Sequence, residues 1–471
     1  MAGILSAIKL TEAGLSDFTV YEKADRLGGT WRENVYPGVS CDVPSHLYSY
    51  SFELNPEWSH VFSPGSEIQA YFEAVADRHG VRDSVRFGDE VVSCAWTGSR
   101  WTIETQAGHR DEVDVVIAAT GVLHRPRIPE LPGIESFTGR SFHSAQWDRD
   151  AVLDGARVGI VGTGSSAVQM VGALTGKVSK LVLFQRTAQW VLPQENPPYT
   201  EEDKQSFRES PEKMTELHQQ ISDFFASGFS NAVVDAESPQ MKLIEEMCRK
   251  NLDDNVKDPV LRELLRPDYR AGCKRLIISP NFYEAIQSPN AQLVTDPIER
   301  VEPSGVVTKD GRLHELDVLV VATGFRVDSF MRPMIVTGRD ELSLDKAWAD
   351  RPQAYLSISI PDFPNFFMLN GPNGPVGNFS LIEVAELQFS YIQQLVETIR
   401  RGECREVSAT HSALDAFEQD RVQAAKRTIW ATGCHSWYLD DRGVPQAWPW
   451  SFDKFREAMA APDMSSFECR T

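Results

Sequence analysis

Cysteine, positive charge and long apolar runs are all scarce in this 471-residue chain. The seven cysteines (Cys41, Cys94, Cys248, Cys273, Cys404, Cys434, Cys469) are odd in number and scattered, with no Cys-x-x-Cys pair, which excludes a zinc ribbon and a dithiol redox motif. Lysine and arginine total 47 against 67 acidic residues, a net charge of −20 with no basic run, so the electrostatic footprint of a nucleic-acid partner is missing. No apolar run approaches the ~18 residues of a membrane span, and the N-terminus has neither a basic region nor a cleavable hydrophobic core. Together these absences imply a soluble, cytoplasmic protein in a reducing compartment, with Cys41 and Cys273 acting as packing residues. The length allows roughly two to four domains, and no solenoid repeat is present.

What is present alternates between strand and helix. Ile4 to Gly14 reads as an apolar-faced helix closed by glycine, and Phe18 to Glu22 as a strand ending in an acid. Further strands are expected at Asp114 to Ala119 and Asp317 to Ala322, each followed by Thr-Gly (Thr120-Gly121 and Thr323-Gly324), and at Arg157 to Val161 and Leu181 to Phe184. This pattern predicts an α/β architecture with two Rossmann-like dinucleotide-binding domains. Residues 198 to about 268 are charged and carry Met214, Leu217, Ile221 and Phe224 at helical spacing, which predicts a helical insertion in the second domain with that stripe as core. A later stripe, Ala385, Phe389, Ile392, Val396 and Ile399, predicts an amphipathic helix after the Pro/Gly/Asn-rich loop from Pro361 to Pro375. The expected division is 1–148 (first part of an FAD-binding domain), 149–330 (an NADP-binding domain with the insertion) and 331–471 (second part of the FAD-binding domain).

Gly162-Thr163-Gly164-Ser165-Ser166-Ala167 follows a strand and opens a helix, the context in which backbone N–H groups and the helix dipole meet a pyrophosphate. Arg186 stands 24 positions after Gly162, where an NAD-specific fold places an acid against the ribose 2′-hydroxyl. A guanidinium there suits a 2′-phosphate, so NADPH is expected. Gly3 reads as the third glycine of a second such motif, whose first glycine would lie five positions upstream; Glu22 is then 24 residues after it and becomes the ribose-binding acid. The expected consequence is a domain short of its central strand and half of its FAD pyrophosphate cradle, with the functional start about 10 to 20 residues upstream.

Phe137-x-Gly139-x-x-x-His143-x-x-x-Trp147-Asp148, lying between the two nucleotide motifs, resembles the fingerprint of type I Baeyer-Villiger monooxygenases. Gly28-Gly29-Thr30-Trp31, followed by Tyr36-Pro37-Gly38 and Asp42, resembles that family's second fingerprint. The related N- and S-oxygenating flavin monooxygenases share the Phe-to-His portion but generally not the Trp-Asp ending. The resemblance implies FAD and NADPH as cofactors. It implies flavin-contacting roles for Gly29, Thr30, Trp31, Asp42 and Tyr48, and NADP-contacting roles for Thr163 to Ser166, Arg186, Thr187 and Lys274. Arg275 would be the active-site arginine, oriented and charge-balanced by Asp42, while Lys274 would reach the 2′-phosphate beside Arg186. Trp437 would lie near NADP. An arginine suits this task because it stays protonated and holds negative charge developing on oxygen without acting as an acid.

His143 titrates near neutrality and could serve as a base. The resemblance instead places it with Trp147 on the linker between domains, coupling their movement to the cofactors. Tyr48, Phe379, Trp430 and Trp437 fit either an apolar pocket for a small ketone or sulfide, with O2 as co-substrate, or ordinary core packing. Three functions stay open: Baeyer-Villiger oxidation of ketones with sulfoxidation alongside, oxygenation of amines or sulfides without need of Arg275, and a non-catalytic NADP-binding protein. A disulfide reductase of the two-dinucleotide type is a fourth, on fold alone, and the missing Cys-x-x-Cys argues against it.

Overall fold

The computed structural model describes all 471 residues. Its largest sheet has five parallel strands in the order Ala291–Val294, Lys180–Phe184, Arg157–Val161, Val318–Val321 and Arg140–His143. The three inner strands, Lys180–Phe184, Arg157–Val161 and Val318–Val321, are mostly buried and read as near-continuous aliphatic runs, as a parallel sheet covered on both faces requires. The Ser165–Leu174 helix lays Ala167, Val168, Met170, Val171 and Leu174 on Val158, Ile160, Leu181, Leu183, Val318 and Val320. A three-stranded antiparallel meander (Ile298–Glu302, Gly305–Thr308, Leu313–Glu315) leads into Val318–Val321.

The other half repeats this plan. The Ala2–Glu12 helix buries Ala2, Ile4, Leu5, Ala7 and Ile8, and Gly14, at φ +74°, lets the chain turn toward the Val20–Glu22 strand. Val20–Glu22 pairs in parallel with Val85–Phe87, and Val116–Ala118 pairs in parallel with Phe366–Met368. These are two separate two-stranded sheets, whereas the other half has one continuous sheet. A second meander (Val91–Trp96, Trp101–Thr105, Arg110–Val113), extended by Ile335–Thr337, precedes Val116–Ala118. The Leu381–Arg400 helix covers this half, with Ala385, Phe389, Ile392 and Val396 buried. It shares a core with Leu5, Ile8, Trp58 and Phe72.

Between Thr200 and Leu265 the chain forms the helices Glu201–Glu209, Pro211–Phe225, Asn231–Val233, Pro239–Asn255 and Pro259–Leu264, with a π-helical turn at Ala226–Ser230. Thr200 and Asp203 form a reciprocal cap that starts the first of them. The expected stripe holds only in part: Met214 is buried, but Phe224 is 77% exposed. Within the regular Pro211–Phe225 helix the inner face runs through Met214, Ile221, Ser222 and Phe225, so Phe224, one position short of it, points to solvent.

The cysteines also depart from expectation. Cys273 is bridged to Cys434 and Cys404 to Cys469, leaving Cys41, Cys94 and Cys248 as buried thiols. Partners 161 and 65 residues apart are brought together by tertiary folding, which spacing along the chain does not reveal. The inference of a reducing compartment from scattered cysteines loses its basis. No helix is long and apolar enough to cross a membrane.

Candidate functional site

One cavity of about 2310 Å³ runs between the two halves. Gly3, Glu22, Gly29, Thr30, Trp31, Asp42 and Tyr48 line it from one side, and Gly162 to Ser166, Arg186, Thr187, Lys274, Arg275 and Trp437 from the other. Thus every residue expected to touch either cofactor faces the same space. Phe379 lines it as well, but Trp430 does not: it is fully buried among Met241, Ile244, Cys248 and Ile429, and packs as core.

The Gly162 turn is built for an anion. Gly162 sits at φ +118°, and a Cβ there would overlap the Ala322 carbonyl oxygen, so only glycine fits. Gly164 opens onto free space, and the Ser165–Leu174 helix that follows has no side-chain cap, leaving its first N–H groups to the cavity. The Thr163 hydroxyl donates to the Thr187 carbonyl at 2.8 Å and ties this turn to the end of the next strand. Arg186 is exposed there with no acidic partner, and Lys274 likewise forms no ion pair; its ammonium lies 4.7 Å from the Tyr269 ring centroid. Burial, with Arg186 nearby, pushes the Lys274 pKa below its ordinary value. Two unneutralised cations at the end of a phosphate-binding strand fit a 2′-phosphate.

On the opposite wall Gly28 and Gly29, at φ +127° and +52°, turn the chain into the short Thr30–Glu33 helix. The Trp31 indole N–H donates to Tyr48 Oη at 3.2 Å, and their rings meet edge to face. Glu22 accepts from the Ala24 N–H at 2.9 Å and pairs with Arg32 at 3.2 Å, which holds its carboxylate at the strand end. Tyr36 and Gly38 dock this wall onto the Ser165–Leu174 helix. Tyr36 Oη donates to Gln169 Oε1 at 2.9 Å, Gln169 Nε2 donates to the Ser40 carbonyl at 3.0 Å, and a Cβ on Gly38 would crowd the Gln169 carbonyl. Glycine and tyrosine in that motif therefore serve contact between the two halves.

At the junction Arg275 Nη2 donates to Asp42 Oδ2 at 2.5 Å, and Nη1 to the Gly377 carbonyl at 3.2 Å. The Asp42 charge raises the arginine's pKa above its already high value, so the group is a permanent cation. Sequence reasoning paired Arg275 with Asp42 but missed Gly377 and Tyr438, which complete this cluster; nothing in their spacing advertises them.

The long fingerprint stays outside the cavity lining. Phe137 packs beneath Gly139, where a Cβ would overlap both the Phe137 ring and the Asp317 carbonyl. Trp147 meets Phe142 edge to face, and Asp148 pairs with Arg140 at 3.0 Å. His143 ends the outer strand, its Nδ1 accepting from the Ala145 N–H at 3.1 Å, and burial lowers its pKa. Lying outside the cavity lining, His143 is not placed to be a general base.

The Flavin-binding monooxygenase-like family model matches residues 1–346. An uncharacterized monooxygenase of Mycobacterium tuberculosis H37Rv is 45% identical over 453 residues, covering 96% of this chain and 90% of that protein. A Baeyer-Villiger monooxygenase of Streptomyces coelicolor is 38% identical, covering 99% and 90%. Among solved structures, cyclohexanone monooxygenase from Rhodococcus sp. Phi1 bound to NADP+ superposes with a TM-score of 0.88 at 28% identity, covering 99% of this chain and 97% of that one. OTEMO in complex with FAD and NADP gives 0.89 at 27%, with the same coverage. The chain therefore belongs to the flavin-binding monooxygenase family and is a flavoprotein monooxygenase of the Baeyer-Villiger type, with FAD and NADPH as its cofactors.

Proposed function

We propose that the protein inserts one oxygen atom of O2 beside the carbonyl of an apolar ketone, giving an ester or lactone. The observation that carries this reading is the Arg275–Asp42 pair at the point where the two cofactor-facing walls of the cavity meet. Bound FAD, reduced by NADPH, supplies the activation of O2. The chain's own residues do the rest. Arg186 and Lys274 bind the 2′-phosphate, and the Gly162 turn with the helix start at Ser165 binds the pyrophosphate. Glu22 takes a ribose hydroxyl, and Gly3, Gly29, Thr30, Trp31 and Tyr48 shape the flavin wall.

Arg275 holds a fixed positive charge where negative charge develops on oxygen, and Asp42 keeps the guanidinium in plane and balances it in the free enzyme. Tyr48, Phe379 and Trp437 exclude water around the carbonyl. Sulfides, which need no carbonyl addition, are oxidised in the same pocket as a side activity. His143, Trp147 and the rest of the fingerprint brace the outer strand of the NADP-binding sheet and transmit movement between the domains, taken as 1–148 with 331–471 against 149–330.

The test is turnover of the FAD-loaded protein with NADPH, a cyclic ketone and 18O2. The expected product is a lactone carrying one labelled oxygen at the ring position. NADPH oxidation that yields labelled sulfoxide from a thioether but no lactone from any ketone contradicts the proposal.

A further inference from the structure

The loop that carries Arg275 is gripped by a second segment that the proposed function does not use. Cys273, two residues before Arg275, is bridged to Cys434, and four residues beyond Cys434 lies Tyr438. The Tyr438 side chain is buried, its ring stacked 4.1 Å from Trp437, which borders the cavity, and 5.1 Å from Trp430 in the core. Its hydroxyl reaches the Gly377 carbonyl at 3.5 Å, the same oxygen that accepts from Arg275 Nη1 at 3.2 Å. Gly377 sits at φ +92°, and a Cβ there would overlap Tyr438 Oη, so the approach of phenol to backbone depends on glycine. Ser436 Oγ accepts from the Tyr438 N–H at 3.0 Å, and the Tyr438 carbonyl accepts from the Gln446 N–H at 2.7 Å, which fixes the backbone on both sides.

We infer that Tyr438 is a positioning residue for Arg275, and that the Cys273–Cys434 bridge is the clamp that keeps the two together. This inference rests on the role of Arg275 proposed above. The guanidinium has five N–H donors in one plane. Asp42 draws one edge of it, and a lone carboxylate would let the cation rotate or settle onto the acid. The Gly377 carbonyl and the phenol beside it hold the second edge, so the remaining donors stay aimed at the cavity. A cation held in place before the reaction stabilises developing charge better than one that must reorganise. The bridge matters because it ties covalently, next to Arg275, two segments that lie 161 residues apart in the chain.

The FAD-loaded protein tests this. In Tyr438→Phe, kcat for ketone oxidation falls about tenfold, the effect of losing one hydrogen-bonding group at a charged centre, and a larger share of NADPH oxidation ends as hydrogen peroxide. The NADP+ dissociation constant, read from the flavin absorption change, and the Tm stay close to wild type. An unchanged kcat and peroxide share overturns the inference, and so does a parallel fall in kcat, NADP+ affinity and Tm, which would mark a residue that only supports the fold.

For the clamp, alkylation of the denatured, unreduced protein labels Cys41, Cys94 and Cys248 but neither Cys273 nor Cys434. A dithiol reductant passes two electrons and two protons to the bridge, giving two protein thiols and its own cyclic disulfide; so treated, the native enzyme shows the raised peroxide share of Tyr438→Phe, as does Cys434→Ser. Alkylation of Cys273 and Cys434 without reductant, or a Cys434→Ser enzyme that matches wild type, overturns the clamp. Arg275→Ala separates the two levels. If it retains ketone oxidation, the role of Arg275 fails; if it loses ketone oxidation while Tyr438→Phe does not, only this inference fails.

Discussion

The two nucleotide-binding halves share a set of elements, helix, two strands, meander and strand, but the outer strand comes last in the FAD-binding half and first in the NADP-binding half. The Ala2–Glu12 helix corresponds to Ser165–Leu174, Val20–Glu22 to Lys180–Phe184, Val85–Phe87 to Ala291–Val294, Val116–Ala118 to Val318–Val321, and Phe366–Met368 to Arg140–His143. In each half a three-stranded meander precedes the strand that ends in Thr-Gly. Arg157–Val161 is the middle strand of the NADP-binding sheet, and in the FAD-binding half the cavity extends between the two strand pairs. The two helix starts make different contacts. In the NADP-binding half the Gly162 N–H donates to the Phe184 carbonyl at 3.2 Å, and the turn lies against Ala322. In the FAD-binding half Tyr50 Oη donates to the Met1 carbonyl at 2.6 Å, and Gly3 is in ordinary contact with Val20 and Ala119.

The sharpest way to break this comparison is to crowd both turns. Gly162→Val places a branched side chain at positive φ against the Ala322 carbonyl, so NADP+ affinity falls about 100-fold or more while flavin absorbance is retained. Gly3→Val meets only Val20 and Ala119 at 3.8 and 3.9 Å, and leaves NADP+ affinity unchanged. Spectroscopic titration of both variants decides; equal effects on NADP+ would erase the distinction.

Hydrogen exchange gives the next largest contrast. Amides of Arg157–Val161 and Val318–Val321 exchange slowly without cofactor. Those of Val20–Glu22 and Val116–Ala118 exchange about tenfold or more faster until FAD is added, because strands in two-stranded sheets open more readily than those in a continuous one.

Arg186→Ala raises the KM for NADPH about tenfold, with little change for NADH, through loss of one charge-assisted contact to the 2′-phosphate. Lys274 adds a pH signature. Because its pKa is already depressed, NADPH affinity begins to fall at a lower pH than an ordinary lysine would give, and Lys274→Met removes that limb of the profile.

A smaller effect lies under the FAD-binding half. Burial pushes the Glu386 carboxyl up to about 7, with Glu383 adding to the rise and the Ser51 N–H and Lys9 opposing it. The folded value exceeds the ordinary unfolded value of about 4.3, so the folded state binds the extra proton and stability declines as pH rises from there through 7. Glu386→Gln therefore raises Tm at pH 8 and leaves it nearly unchanged at pH 4. Least of all, Phe224→Ser changes neither Tm nor turnover, since that ring is in solvent.

Much of this was legible from residue order because Rossmann-like halves announce themselves locally. A strand, a glycine turn and a helix within a few dozen residues fix Gly162 and Arg186, and equal spacing carries the argument to Gly3 and Glu22. The Phe-x-Gly pattern is local in part: the Phe137 ring two residues away demands the glycine, while the Asp317 carbonyl that also crowds it comes from far along the chain. What stayed hidden is what only tertiary folding assembles. Gly377 and Tyr438 meet Arg275 from loops about 100 and 160 residues away. The Cys273–Cys434 bridge is of the same kind. Trp430 shows the same limit: residue order places an aromatic near the site, while only the fold decides whether its ring faces the cavity or, as here, the core.

The account turns on the cation at the junction of the two halves, and one measurement reaches it most directly. With FAD-loaded Arg275→Ala, the lactone formed from a cyclic ketone is quantified against NADPH consumed. The expected result is a loss of lactone of about 100-fold or more while NADPH oxidation continues, with hydrogen peroxide as the product. Lactone formation at the wild-type rate and yield would contradict the account.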